Sequence, residues 1–150
     1  MAKFDLGKTA SDSSAGALVA HASRLLHQAL ALAQQPLGLA PAQYKILVLL
    51  WLKDGQTQRD LVLKLDIEQS TIGSTLNRME RDGLIQRRPN PDDGRSQFIC
   101  LTSRGKKLKA PAMQLANRIN EQALSAFSAT ERAQFLTLME KFIKNLKKNR

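Results

Sequence analysis

The sequence predicts a mainly α-helical chain with one small β-hairpin. Apolar residues recur at helical spacing over most of its 150 residues. One stretch breaks that rhythm: Leu84 to Arg88 and Ser96 to Leu101 read as short strands around the turn Asn90-Pro91-Asp92-Asp93-Gly94-Arg95. Serine or threonine stands ahead of several apolar runs, where a hydroxyl satisfies the free N–H groups of a helix start.

Residues 1 to about 12 are polar and read as a frayed terminus. Ser13 or Ser14 caps the first helix, whose stripe includes Leu18, Val19, Ala22, Leu25, Leu26, Ala29 and Leu32. Pro36 and Gly38 end it. Pro41 opens a second helix, where its missing N–H costs nothing. That helix carries Tyr44, Leu47, Val48, Leu50 and Trp51 and stops at Gly55.

Thr57 with Asp60 three residues on forms a capping box for a short third helix, with Leu61 and Leu65 inward. Asp66-Ile67-Glu68 makes a turn. A fourth helix runs from Gln69 to about Asp82, with Ile72, Leu76 and Met79 spaced for a core and Gly83 closing it. After the hairpin, Thr102 caps a long fifth helix with Leu108, Leu115, Ile119, Ala123 and Phe127 inward and a kink expected at Pro111. Ser128 and Glu131 cap the last helix, which carries Phe135, Leu138, Met139, Phe142 and Leu146.

Helices three and four joined by a tight turn, with a hairpin beside them, form a compact unit of the kind that suits duplex DNA. The whole of 1–150 reads as one domain. The terminal helices carry apolar stripes that need a cover, which the same helices of a second copy would supply. The expected form is an intertwined helical homodimer, with 13–35 and 102–147 as its dimerisation region and 40–101 as the winged region.

Lys+Arg is 23 against 13 for Asp+Glu, a net charge of +10. That excess favours a polyanionic partner. A single cysteine, Cys100, excludes an internal disulfide and fits a reducing compartment. No apolar run approaches the ~20 residues of a membrane helix. These readings predict a cytoplasmic protein without membrane association.

The fourth helix offers Gln69, Ser70, Thr71, Ser74, Asn77 and Arg78, small polar groups of the kind that meet base edges and phosphates in a major groove. Arg95 at the hairpin tip suits the adjacent minor groove. Arg87 and Arg88 alternate faces of a strand, so only one of them faces DNA; Arg88 is assigned as the contact. Lysines 106, 107 and 109, and the basic run from Lys141 to Arg150, read as solvated faces or phosphate contacts. His21 and His27 point roughly 120° apart on one helix and cannot share a metal. No nucleophile–base–acid set or phosphate-cradling glycine loop is visible, so no enzymatic activity, metal or cofactor is expected.

Two strings sharpen this reading: Gln69-Ser70-Thr71-Ile72 through Leu76-x-Arg78-Met79-Glu80-x-x-Gly83-Leu84-Ile85, and Asp93-x-Arg95 followed after five residues by Leu101-Thr102-x-x-Gly105. In order and spacing they resemble the MarR family of winged helix-turn-helix transcriptional regulators, over about residues 14–146. The resemblance implies a triangular dimer built by the first, fifth and sixth helices. It places Arg95 in the minor groove, with Asp93 bracing the wing. It also implies a pocket for a small aromatic or phenolic effector, with His21, Arg24, His27 and Tyr44 as candidate lining. Ser74 and Gly94 stand where relatives often carry arginine, which bears on the DNA sequence read.

The expected function is a ligand-responsive repressor that binds a palindromic operator on double-stranded DNA as a homodimer. Rival readings are a non-specific architectural DNA-binding protein, a redox-responsive regulator using Cys100, and a helical module that binds acidic proteins.

Overall fold

The computed structural model describes residues 14–148. The polar N-terminal stretch, the Ser13 cap and Arg150 lie outside the described residues. The chain divides into two compact units, Met1–Ala116 and Asn117–Arg150.

In the first unit, α1 spans Ala15–Gln34, and Ser14 caps it by accepting from the Ala17 N–H at 3.1 Å. A 3-10 turn over Gln35–Leu37 follows, and Gly38 turns out of it at φ 68°. Helix α2, Pro41–Leu52, starts with proline in its first turn. The two-residue strand β1, Gln56–Thr57, leads into α3, Gln58–Leu65. The Thr57 hydroxyl accepts from the Asp60 N–H at 3.2 Å, and Asp60 accepts from the Thr57 N–H at 2.9 Å. Asp66 adopts the left-handed conformation (φ 54°) and redirects the chain into α4, Gln69–Arg81. Strands β2, Ile85–Pro89, and β3, Gln97–Leu101, form the hairpin.

The hairpin is not alone, as the sequence reading had it. Strand β1 pairs with the far side of β3, so the sheet is antiparallel with order β1-β3-β2. Its anchor is Gln56, fully buried, whose amide donates to the carbonyls of Leu49 at 2.8 Å and Lys53 at 2.7 Å and accepts from Lys64. A buried amide with all these partners ties the wing to α2.

Ile46, Leu47 and Leu50 of α2, Leu61 of α3, Ile72, Leu76 and Met79 of α4, Leu84 just before β2, and Ile85 and Ile99 of the sheet form one core. Burying each such side chain contributes about 1.5–3 kcal/mol. Helix and wing therefore share an interior.

The predicted long fifth helix is two segments, α5 over Ser103–Lys107 and α6 over Lys109–Ala123, broken at Leu108 rather than kinked at Pro111. The reason is positional. Pro111 has no N–H to give the Lys107 carbonyl and its ring crowds that group, so the disturbance falls four residues upstream. The buried positions of α6 are Ala112 and Ala116, with Leu108, Leu115 and Ile119 half-buried; Ala123 and Phe127, expected inward, are exposed. Thr102 caps α5 by accepting from the Gly105 N–H at 3.1 Å and donates to the Gly83 carbonyl at 2.6 Å. Gly105 passes so close to β2 that a Cβ there would sit 2.2 Å from the Leu84 carbonyl oxygen.

In the second unit, α7 spans Ala129–Lys148. Ser128 and Glu131 form the expected reciprocal cap, Arg132 pairs with Glu121 at 2.7 Å, and Phe127 meets Phe135 edge-on at 5.6 Å. Leu136, Leu138, Ile143 and Leu146 are exposed on α7, as are Leu18, Leu25, Leu26 and Leu32 on α1.

Candidate nucleic-acid interface

The two faces of α4 separate by chemistry. Ile72, Thr75, Leu76 and Met79 are buried; Gln69, Ser70, Thr71, Ser74, Asn77 and Arg78 are exposed. Ser74 and Thr75 both donate to the Thr71 carbonyl, at 3.0 and 2.8 Å. Gly73 lies under Gln58, whose side-chain nitrogen a Cβ there would meet at 3.2 Å and which donates to the Gln69 carbonyl at 3.3 Å. Glycine at this point in the helix lets α3 lie against the start of α4.

The Arg78 side chain makes no hydrogen bond or ion pair among the described residues and lines a recess of about 290 Å³ with Gln43, Thr75 and Asp82. Gln43 holds Asp82 at 2.8 Å. Arg81 stands 3.9 Å from Asp82 with both groups well exposed, an arrangement of little energetic weight.

The wing tip is held by its own polar groups. Asn90 donates to Ser96 Oγ at 2.8 Å, and Asp93 accepts from the Arg95 backbone N–H at 3.0 Å. The Arg95 side chain extends exposed from that frame, with no partner among the described residues. Gly94 beside it has open space around it.

The strand arginines differ. Arg87 crosses to α4, donating to Asn77 Oδ1 at 2.7 Å and pairing with Glu80. Arg88 is exposed on the other face of the strand, near enough to Cys100 to act on its thiol. Sequence reasoning placed Arg88 toward DNA and left Arg87 without a role. The phase of Ile85, buried and two residues before Arg87, carries the signal that Arg87 faces the helices.

His21 contacts Arg24 at 3.4 Å and His27 contacts Ser23 at 3.3 Å, all on α1. Tyr44 packs edge-on against Trp51 at 6.1 Å, and burial raises its hydroxyl pKa. Cys100 is half-buried; burial first, then Asp54, pushes its thiol up. A thiol held protonated is a poor sensor of oxidants. Among the described residues no cluster of His, Cys, Asp or Glu could hold a metal, and no helix is long and apolar enough to cross a membrane.

Helices α3 and α4 with the sheet beside them form a winged helix-turn-helix, an architecture of DNA-binding regulators. A profile of the MarR family matches residues 39–97. Transcriptional regulator HosA of Escherichia coli O111:H- is 30% identical over 105 residues, covering 70% of this chain and 78% of HosA. A MarR transcriptional regulator from Methanosarcina mazei Go1 shares the fold with a TM-score of 0.85 at 24% identity, over 90% of this chain and 97% of that one. A MarR family regulator from Listeria monocytogenes, solved in complex with a 26mer DNA, gives 0.84 at 22% identity over 91% of each chain. The chain belongs to the MarR family: it is a DNA-binding transcriptional regulator, not an enzyme.

Proposed function

We propose that this regulator binds a palindromic operator as a homodimer and represses transcription until a small ligand releases it. The observation that carries the proposal is the exposed face of α4, where Gln69, Ser70, Thr71, Ser74 and Arg78 present polar and basic groups and the helix's own acid, Glu80, is paired with Arg87. Ser70 and Thr71, at the helix start, meet base edges, and Arg78 takes a phosphate. Asn77 keeps its amide N–H groups for DNA while Arg87 holds its oxygen. Arg95 enters the minor groove from the frame that Asp93 sets, and Arg88 meets backbone from the outer face of the wing. The Listeria relative's complex with DNA supports this reading.

The exposed leucines of α1 and the apolar residues of α7 support a second copy as their cover, so 13–35 and 102–147 serve as the dimerisation region and 40–101 as the reading head. Two heads then sit about one duplex turn, roughly 34 Å, apart. An aromatic or phenolic ligand near His21, Arg24, His27 and Tyr44 would act by favouring one spacing of the heads over another.

Selection of genomic fragments with the purified protein tests the proposal. The expected result is an inverted-repeat site retained against excess bulk DNA; binding without any preferred site would leave only an architectural role. Arg95→Ala should weaken binding to the selected site by about 1–3 kcal/mol.

A further inference from the structure

Between the start of α3, the start of α4 and the wing lies a polar groove of about 630 Å³, lined by Thr57, Arg59, Gln69, Arg87, Arg95 and Gln97 among others. We infer that this groove seats one strand of the DNA backbone and that Arg59, on α3, is its phosphate ligand. The inference rests on the DNA reading proposed for the same face.

The argument is geometric. A helix in the major groove and a wing in the neighbouring minor groove must straddle the sugar-phosphate strand that divides the two grooves. Whatever lies between helix and wing therefore faces phosphates rather than bases. The groove is polar, as a phosphodiester seat requires. Gln58, bound to the Gln69 carbonyl at 3.3 Å, holds the start of α3 against the start of α4.

The charges in the groove are unequal. Arg87 is committed to Glu80 and Asn77. Asp93, the carboxylate that lines the groove, accepts from the Arg95 N–H. Arg95 extends from the wing tip. Arg59 is exposed and its side chain makes no hydrogen bond or ion pair among the described residues, so its guanidinium is available on the α3 side. A guanidinium suits a phosphate because its planar fork matches two of the anionic oxygens. Arg59 therefore adds affinity without reading sequence.

The test is the salt dependence of binding by Arg59→Ala, Arg59→Lys and Arg95→Ala, measured by fluorescence anisotropy on the selected site and on a mixed-sequence duplex. Thermal melts confirm that the variants are folded. Loss of one phosphate contact should lower the slope of log affinity against log salt by about 0.9 on both duplexes. The deficit of Arg59→Ala should then shrink about threefold between 50 and 200 mM salt, with the ratio of specific to non-specific affinity unchanged. Arg59→Lys, which keeps the charge, should restore the slope. An unchanged slope for Arg59→Ala, or a change in site preference, overturns the assignment. If Arg95→Ala weakens binding while Arg59→Ala does not, the reading head stands and only the groove assignment falls. Failure of the unaltered protein to bind either duplex overturns both.

Discussion

Gly105→Ala forces a carbon into the seam between α5 and the start of β2. The new Cβ would stand 2.2 Å from the Leu84 carbonyl oxygen and 3.2 Å from a Leu101 methyl. Neither the carbonyl nor α5 yields alone, because Thr102 binds the Gly83 carbonyl at 2.6 Å and Trp51 donates to the Gly105 carbonyl at 2.9 Å. Overpacking of this kind costs about 1–3 kcal/mol, and α5 must retreat by roughly 1 Å to relieve it. Retreat strains the two hydrogen bonds, each contributing about 0.5–1.5 kcal/mol. Alanine returns about 0.8–1.0 kcal/mol through helix propensity. The net loss is about 1–3 kcal/mol. In urea denaturation followed by circular dichroism, a slope of about 1–3 kcal/mol per molar places the midpoint lower by roughly 1 M. Gly83→Ala is the control: its φ of 69° strains alanine, yet nothing lies within 4 Å of the added carbon. A midpoint for Gly105→Ala at or above that of the unaltered protein would refute the contact argument.

Three further outcomes follow from the same structure. The Asp60 carboxyl is held below its ordinary pKa by the Thr57 hydroxyl and backbone N–H, so its stabilisation is full at neutral pH and fades as pH falls through the folded value. Asp60→Asn should therefore be less stable than the unaltered protein near pH ~7, with the gap closing toward pH ~3; a gap independent of pH in urea titrations would contradict this. Gln34 is fully buried and its amide has no partner among the described residues, so Gln34→Leu should raise stability by about 1 kcal/mol, and a lower melting temperature would count against it. Leu25 is 54% exposed on α1, so Leu25→Asp should spare the fold yet yield monomers by light scattering, unless α1 contributes nothing to pairing.

The parts of the fold that short-range chemistry dictates were legible in the sequence. The Thr57–Asp60 and Ser128–Glu131 boxes, the Thr102 cap and the left-handed Gly83 all depend on residues within one turn. The core side of α4 followed from the spacing of Ile72, Leu76 and Met79. What stayed hidden depends on distant partners. Strand β1 has two residues, too few for a periodicity, and exists because β3 pairs with it. The break at Leu108 was displaced from the proline that causes it. Arg87 gained its role only when α4 came within reach of β2, and Gln56 is buried because three groups from α2, α3 and the following loop converge on it. The exposed polar face of α4 was readable residue by residue; the groove containing Arg59 was not, since it exists only between elements.

Gly94 sits at the end of the wing with nothing within 4 Å of where a Cβ would stand and with a backbone any amino acid adopts. Exchange at that one position can lengthen, charge or blunt the finger while the platform beneath it stays untouched. Divergent descendants of this chain could thus remodel the outermost point of the hairpin through a single codon, at almost no cost in folding.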